Sequence, residues 1–229
     1  MEMLERQPCL FPGAVLRPSI NNRPAWPFGE LEPWSFDLIM ADPPWRFRLR
    51  SRQGEGKSAQ AHYACMSLTD IKALPVSDLA REDCLLWLWG TAPMTPQALD
   101  VMSAWGFRFV TIGAWHKKTI HGATAFGTGY RLRSAMEPFF IGARGKPKSS
   151  RSVRNLVEGL AREHSRKPDE AFAAAVRLMP HAHRVELFSR ETRPGWSAWG
   201  NEPGLFDGAA VPTTAFQIAK HAPKNGEPA

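Results

Sequence analysis

Short apolar runs alternate along this chain with segments that have helical spacing and helix-start signals. The spacing predicts helices from Ser67 to Leu74, from Thr95 to about Trp105 and over Ala171–Met179. The apolar runs that predict strands are Phe36–Ala41, Cys84–Trp89, Phe107–Trp115, Glu137–Ala143 and His183–Phe188. Strands and helices in this alternating order indicate an α/β fold with a mainly parallel sheet.

Three predicted helices begin with recognisable capping residues. Ser67 followed three residues later by Asp70 has the spacing of a capping box with the shorter acid. Thr95 followed by Pro96 predicts an N-cap and a proline at the first helical position. Pro168 also suits a first helical position, with two acids in the first turn behind it.

The length of 229 residues fits one domain with a substantial core. Residues 1–33 hold six prolines and few periodic apolar positions, which predicts an irregular arm. Residues 34–204 carry the alternating pattern and form the expected domain. Residues 205–229 are rich in Ala, Pro, Thr, Lys and Gly without a period, so we expect a disordered tail.

The chain is basic, with 29 Lys and Arg against 22 Asp and Glu and a pI of about 9.7. Such a surface favours a polyanion, and nucleic acid is the natural partner, although charge alone fits simple solubility equally well. Basic residues concentrate in residues 46–60, 120–133 and 144–154. The first of these stretches suits either a mobile loop or a half-buried edge strand, and the last suits an ordinary solvated turn.

The cysteines Cys9, Cys65 and Cys84 are scattered and form no C-x-x-C pair, so neither disulfides nor a zinc site is expected. We expect no other metal, because His181 and His183 have no third ligand candidate nearby. No 18 apolar residues run together, which predicts a cytoplasmic protein without a membrane partner.

The stretch Asp42-Pro43-Pro44-Trp45 directly follows the first predicted strand. Ligands of α/β proteins gather at the carboxyl ends of strands, and the two prolines stiffen the turn there. An exocyclic aromatic amine is a poor nucleophile, but hydrogen bonds to Asp42 and the Pro43 carbonyl would direct its lone pair towards an electrophile. Trp45 would stack on the base. The alternative is a Pro-Pro turn that closes a strand, with Asp42 as a cap.

Lys167 stands just before a predicted helix, where the lysine and the helix N-terminus together suit a carboxylate-bearing ligand. A surface lysine at a helix start is the alternative. The Gly127-Thr128-Gly129 stretch does not complete a dinucleotide-binding fingerprint, and Gly145-Lys146 lacks the P-loop spacing. These observations argue against dinucleotide and nucleoside-triphosphate binding at those places.

Three separated motifs carry a resemblance to a known family. They are Asp42-Pro43-Pro44-Trp45, then Lys167-Pro168-Asp169-Glu170, then Val185 to Arg190 together with Trp199-Gly200-Asn201-Glu202. Their types and order resemble the family of the eukaryotic messenger-RNA adenosine-N6 methyltransferase catalytic subunit, over roughly residues 34–204. The compact length is most similar to short bacterial and phage members.

The resemblance implies a permuted Rossmann-like fold that uses S-adenosylmethionine, with the catalytic strand ahead of the cofactor-binding strand. The catalytic residues implied are Asp42, Pro43, Pro44 and Trp45. The cofactor residues implied are Asp42, Lys167, Arg190, Thr192, Asn201 and Glu202. The substrate residues expected are Tyr63, Trp45 and Glu137, with Lys117 just after the third predicted strand and Arg131 and Arg133 in the basic stretch 120–133. Thr192, Arg193 and Glu202 depart from the eukaryotic pattern, which leaves the ribose contacts open.

Together these features predict N6 methylation of adenine in DNA or RNA by direct transfer to a flipped or single-stranded base. Three alternatives stay open: a catalytically inactive nucleic-acid-binding homologue, an amino-methyltransferase for cytosine N4 or a protein amide, and an unrelated basic binding module. The relatives that act on cytosine or amides more often carry Ser or Asn at the position of Asp42. A monomer or a homodimer is expected, since nothing in the sequence requires a partner chain.

Overall fold

The computed structural model describes residues 26–46, 65–129, 131–162, 166–201, 204, 205 and 207. Residues 27–30 form a turn within the N-terminal unit, which ends at Glu30, and the fold below belongs to the unit that begins at Leu31. Its strands are β1 Phe36–Ala41, β2 Ala80–Trp89, β3 Arg108–Lys118, β4 Met136–Arg144, β5 Leu156–Leu160, β6 Arg184–Leu187 and β7 Ser197–Trp199. Its helices are α1 Leu68–Ala73, α2 Thr95–Ala104 and α3 Asp169–Leu178.

The seven strands form one sheet in the order β5-β3-β4-β2-β1-β6-β7. β1 lies inside the sheet, parallel to β2 on one side and to β6 on the other. β4 runs antiparallel to both of its neighbours, and the remaining pairings are parallel. The sheet is therefore mainly parallel, which confirms the predicted α/β class. The permuted order places the first strand beside β6, near the end of the domain.

The middle of the sheet is buried on both faces. One face holds an apolar cluster in which the rings of Trp87 and Phe139 stack with centroids 4.0 Å apart, covered by α3. The other face packs against α2 through Ala98 and Val101. Leu38 to Ala41 are at most 1% exposed, as expected for a central parallel strand. β1 is thus paired with a strand on each side and buried on both faces of the sheet.

The helix starts agree with the sequence only in part. Ser67 caps α1 as predicted, since its Oγ accepts a hydrogen bond from the Asp70 N–H at 3.1 Å. The N-cap of α2 is Met94 and not Thr95, whose hydroxyl instead donates to the Ala92 carbonyl at 2.9 Å in a short 3₁₀ turn. Pro168 is the N-cap of α3 with extended backbone rather than its first helical residue.

Strand bounds differ in both directions: pairing partners extend some strands beyond their apolar runs, whereas β6 is shorter than the predicted His183–Phe188. β1 has the predicted bounds, whereas β2 begins four residues earlier than Cys84. β3 continues past Trp115 because β5 holds Lys117 and Lys118 in register with Gly159 and Leu160. The predicted closing loop contains β7, which pairs with β6. β5 itself was not predicted. No helix within the described ranges is long and apolar enough to cross a membrane.

Candidate active site

The backbone after β1 forms a fixed turn that ends the strand at Asp42. The Pro43 carbonyl accepts a hydrogen bond from the Trp45 N–H at 2.8 Å, and the Pro44 carbonyl accepts one from the Met66 N–H at 3.1 Å. The Trp45 indole donates to the Trp89 carbonyl at 3.2 Å, and the residue is 5% exposed. The turn is therefore stiff, and the Trp45 ring is buried in this arrangement.

Lys167 reaches this turn from the N-terminal side of α3. Its Nζ lies 2.5 Å from Asp42 Oδ2 and 3.0 Å from Glu137 Oε1, and the side chain is only 7% exposed. The Nζ also lies 5.5 Å from the ring centroid of Trp89. Lys167 thus bridges two carboxylates that come from β1 and β4.

A second lysine completes the group. Lys117, near the end of β3, places its Nζ 2.7 Å from Glu137 Oε2 and 4.5 Å from the centroid of the Trp115 ring. We call Asp42, Lys167, Glu137 and Lys117 the Asp42 cluster. It alternates two acids with two lysines, so the buried charges balance. Four of the predicted site residues are thereby brought together from the ends of three strands and the start of α3.

The electrostatics of the cluster follow from burial and pairing. Burial raises the pKa of Asp42 above its ordinary value, and Lys167 offsets this only in part. Burial acts in the same direction on Glu137, but the two lysines beside it outweigh that effect and lower its pKa. Burial disfavours the charged form of Lys167, yet the two acids raise its pKa. Lys167 is therefore a firmly protonated cation.

A narrow cleft of about 30 Å³ opens beside Asp42 and Lys167. The other residues that line it are Arg166, Glu186, Phe188, Arg190, Glu191 and Arg193. Burial raises the pKa of Glu186 to about 7, although Ser189 Oγ donates a hydrogen bond to its carboxylate at 2.8 Å. Phe188 adopts a left-handed backbone with φ of 64°, an uncommon conformation for an aromatic residue. Strain of this kind tends to occur at functional sites.

Ion pairs fix the wall of the cleft. Arg166 donates two hydrogen bonds to the Glu191 carboxylate, at 3.1 Å and 2.8 Å. Arg193 donates to Asp169 at 2.6 Å and to Glu191 at 2.7 Å. Its guanidinium also lies 3.8 Å from the ring centroid of Phe172. These pairs join the segment after β6 to the first turn of α3.

The other predicted residues are distributed around this centre. Arg190 lines the cleft, but Thr192 is exposed and its hydroxyl donates to Asp207 at 2.6 Å. Asn201 is exposed, and Tyr63 and Glu202 lie outside the described residues. Arg131 and Arg133 are exposed in the connection between β3 and β4. The roles assigned to all of these residues stay predictions.

No site role was predicted from the sequence for Glu186, Arg166 or Arg193, which all line the cleft. The sequence does contain a sign of Glu186, because a carboxylate within the apolar run of β6 is unfavourable unless it has a binding or pairing role. Arg166 and Lys167 also form a pair of cations directly before a helix. In the described part of the chain, no three His, Cys, Asp or Glu side chains converge as a metal-binding group.

The chain is similar in sequence to one protein family and to several methyltransferases. The MT-A70 family model matches residues 36–202. The chain is 27% identical over 193 residues to the type II methyltransferase M.MunI of Mycoplasma sp., covering 76% of this chain and 81% of that protein. It is 30% identical over 173 residues to an N(6)-adenosine-methyltransferase MT-A70-like protein of Arabidopsis thaliana, and 27% identical over 184 residues to the human N(6)-adenine-specific methyltransferase METTL4.

The eukaryotic matches cover 73% of this chain in each case but only 24% of the Arabidopsis protein and 37% of the human one. The chain thus spans less than two fifths of these longer relatives. The family model extends from the first residue of β1 to just beyond β7 and includes the whole Asp42 cluster. This match confirms the resemblance and the methyltransferase fold that the sequence predicts. The protein therefore belongs to the MT-A70 family.

Proposed function

We propose that the protein transfers a methyl group from S-adenosylmethionine to the N6 amine of adenine in DNA or RNA. The names of the relatives, which describe methyltransferases and adenine-N6 methyltransferases, support this assignment. The observation that carries it is the contact between Lys167 and Asp42 at the carboxyl end of β1. This contact joins the two motifs that the sequence singled out independently.

In this proposal Asp42 orients the substrate amine. Its carboxylate accepts a hydrogen bond from the NH₂ group, and the contact with Lys167 favours the ionised form, which partly offsets the effect of burial. The Pro43 carbonyl already accepts one hydrogen bond from Trp45, and a carbonyl oxygen has a second lone pair for the amine. Two fixed acceptors direct the nitrogen lone pair without reorganisation at the moment of reaction, which is the usual source of such catalysis.

The residues of the cleft suit S-adenosylmethionine, a ligand with a carboxylate, an ammonium, a sulfonium and ribose hydroxyls. Lys167 would bind the carboxylate, and Arg190, which lines the cleft, would hold the ribose. Glu186, whose burial raises its pKa to about 7, offers a carboxylate that a hydroxyl donor or a cation would stabilise. When bound, the cofactor supplies an electrophilic methyl group.

The substrate polymer follows from charge and from the chemistry of the base. A net charge of +7 favours a polyanion. Adenine N6 is paired inside a duplex, so the enzyme must either flip the base at a cost of a few kcal/mol or act on single strands. We propose a cytoplasmic enzyme that works as a monomer or a homodimer.

The test uses purified protein and labelled S-adenosylmethionine with matched single- and double-stranded DNA and RNA. Products are digested to nucleosides and identified by mass spectrometry. N6-methyladenine supports the proposal, and the best substrate identifies the polymer. Methylated cytosine would assign the enzyme to cytosine N4. Cofactor binding without any product on the four polymers would refute the proposal and favour a protein substrate or an inactive homologue.

A further inference from the structure

The connection between β3 and β4, residues 119–135, is an unusual surface. It contains no Asp or Glu, and three of its apolar side chains are at least 80% exposed: Ile120, Phe126 and Leu132. The connection begins just after Lys117 and Lys118 and ends just before Met136 and Glu137. Each end of the connection therefore lies within two residues of a member of the Asp42 cluster, and these two members, Lys117 and Glu137, form an ion pair.

Phe126 is exposed but held in place by the backbone on both sides. The Ala125 N–H donates to the Lys117 carbonyl at 2.8 Å, and the Gly127 N–H donates to the Ser134 carbonyl at 2.7 Å. A side chain at Gly127 would meet that carbonyl oxygen at 2.7 Å, so glycine permits the close approach. The Phe126 ring is 81% exposed. The backbone on either side of it is nevertheless held by hydrogen bonds, one of which goes to Lys117 of the Asp42 cluster.

Arg133 completes a platform around this ring. Its guanidinium carbon lies 5.6 Å from the Phe126 ring centroid, and its NH1 donates to the Gly129 carbonyl at 3.2 Å. An exposed aromatic face beside a cation is the arrangement with which proteins bind unstacked bases and their phosphates. The absence of acids from the sequence of this connection favours a polyanionic partner over a second copy of this basic chain.

We propose that Phe126 stacks on a nucleobase next to the target adenine, while Arg133 keeps the ring in place and faces the phosphate backbone. The proposal deepens the function proposed above and rests on it. In a duplex the Phe126 ring would insert between the stacked bases when the target adenine flips out, as apolar side chains do in other DNA-binding proteins. In a single strand it would support the neighbouring base.

The experiment measures binding by fluorescence anisotropy, with one labelled oligonucleotide that carries adenine between normal bases and a second in which the positions flanking that adenine are abasic. Stacking on one base predicts that Phe126→Ala binds the first strand about 5- to 100-fold more weakly. It predicts no change on the abasic strand, where Phe126 has no neighbouring base to stack on. Phe126→Trp should retain the affinity because it keeps an aromatic face.

Phe109→Ala is the matched control. Phe109 is an exposed phenylalanine at the start of the same strand β3, 51% exposed. It is eight residues from Lys117, which is about 26 Å along an extended strand. This variant should bind both oligonucleotides like the wild type. Equal affinity of Phe126→Ala and the wild type for the base-containing strand overturns the proposal.

The result does not depend on turnover, so the two proposals fail separately. If the wild type binds but makes no N6-methyladenine, the assigned reaction fails, while the loss in Phe126→Ala still supports the stacking role. Equal weakening on the two strands would show a general loss of phosphate binding and refute stacking. Unchanged binding with an altered oligomeric state in Phe126→Ala, measured by light scattering, would refute it and assign the connection to a subunit interface.

Discussion

Replacing Lys167 with methionine removes the cation that bridges the two buried carboxylates of the Asp42 cluster. In the wild type, two lysines face two acids, and the Asp42 and Glu137 side chains are 19% and 16% exposed. After the substitution one lysine remains, so the cluster carries one uncompensated negative charge. Methionine has nearly the same length but no charge, so the change is mainly electrostatic and also removes the cation–π contact of Lys167 with Trp89.

Breaking a buried ion pair from one side typically costs about 3–5 kcal/mol, because the remaining charge stays buried without a partner. We therefore expect Lys167→Met to lower the free energy of unfolding by that amount at about pH 8. The loss should shrink as the pH falls towards about 4. The variant raises the pKa of Asp42 in the folded state further above its unfolded value, and protonation then removes the unpaired charge.

Urea unfolding followed by circular dichroism at both pH values measures this difference. Arg177→Met is the matched control, since Arg177 is an exposed cation on α3. It should change the free energy of unfolding by less than about 0.5 kcal/mol. A loss in Lys167→Met that is the same at both pH values, or below about 1 kcal/mol at about pH 8, would refute the electrostatic account. Recovery of stability in the double variant Asp42→Asn, Lys167→Met would support it.

Three further outcomes are expected. Asp42→Ala should lower turnover about 100- to 1,000-fold with the fold retained, and more than about a tenth of wild-type activity would contradict its role. Nucleic-acid affinity should fall steeply between low and high salt. Arg131→Ala should reduce the slope of log affinity against log salt concentration by about one. An affinity of the wild type that does not change with salt would exclude phosphate contacts. Because burial raises the pKa of Glu186 from 4.5 to about 7, wild-type stability should fall as the pH rises through that window. Glu186→Gln should remove this pH dependence and raise the free energy of unfolding by up to about 3 kcal/mol at about pH 8. Urea unfolding at several pH values would test this. An unchanged pH dependence of stability would contradict the assignment.

Strong local signals in the sequence were sufficient for the catalytic strand and the first cap. β1 has its predicted bounds because two prolines without N–H groups cannot continue the ladder, so the strand must stop at that point. Ser67 caps α1 because its hydroxyl is placed by local geometry alone. The Asp42 and Lys167 motifs were also evident as candidate chemistry before any contact between them was known.

Weak local signals failed where a neighbour decided the outcome. The alternation in β5 is interrupted by Glu158 and Gly159, and this strand forms because β3 supplies its hydrogen-bond partners. Glu186 was overlooked inside an apolar strand because its significance depends on the cleft that it lines. Met94 rather than Thr95 caps α2 because the 3₁₀ turn before the helix uses the threonine hydroxyl.

The amino-acid sequence by itself determined the fold class, the strand that ends just before Asp42 and the presence of a lysine just before α3, since all of these depend on residues that are neighbours along the chain. The order of the strands decided the site. Placing β1 between β2 and β6 and extending β3 beside β5 brings together Asp42 and Lys167, which are 125 residues apart, with Glu137 and Lys117 beside them. Long-range packing sets such distances, because each charge is stable in the interior only when another segment supplies its partner.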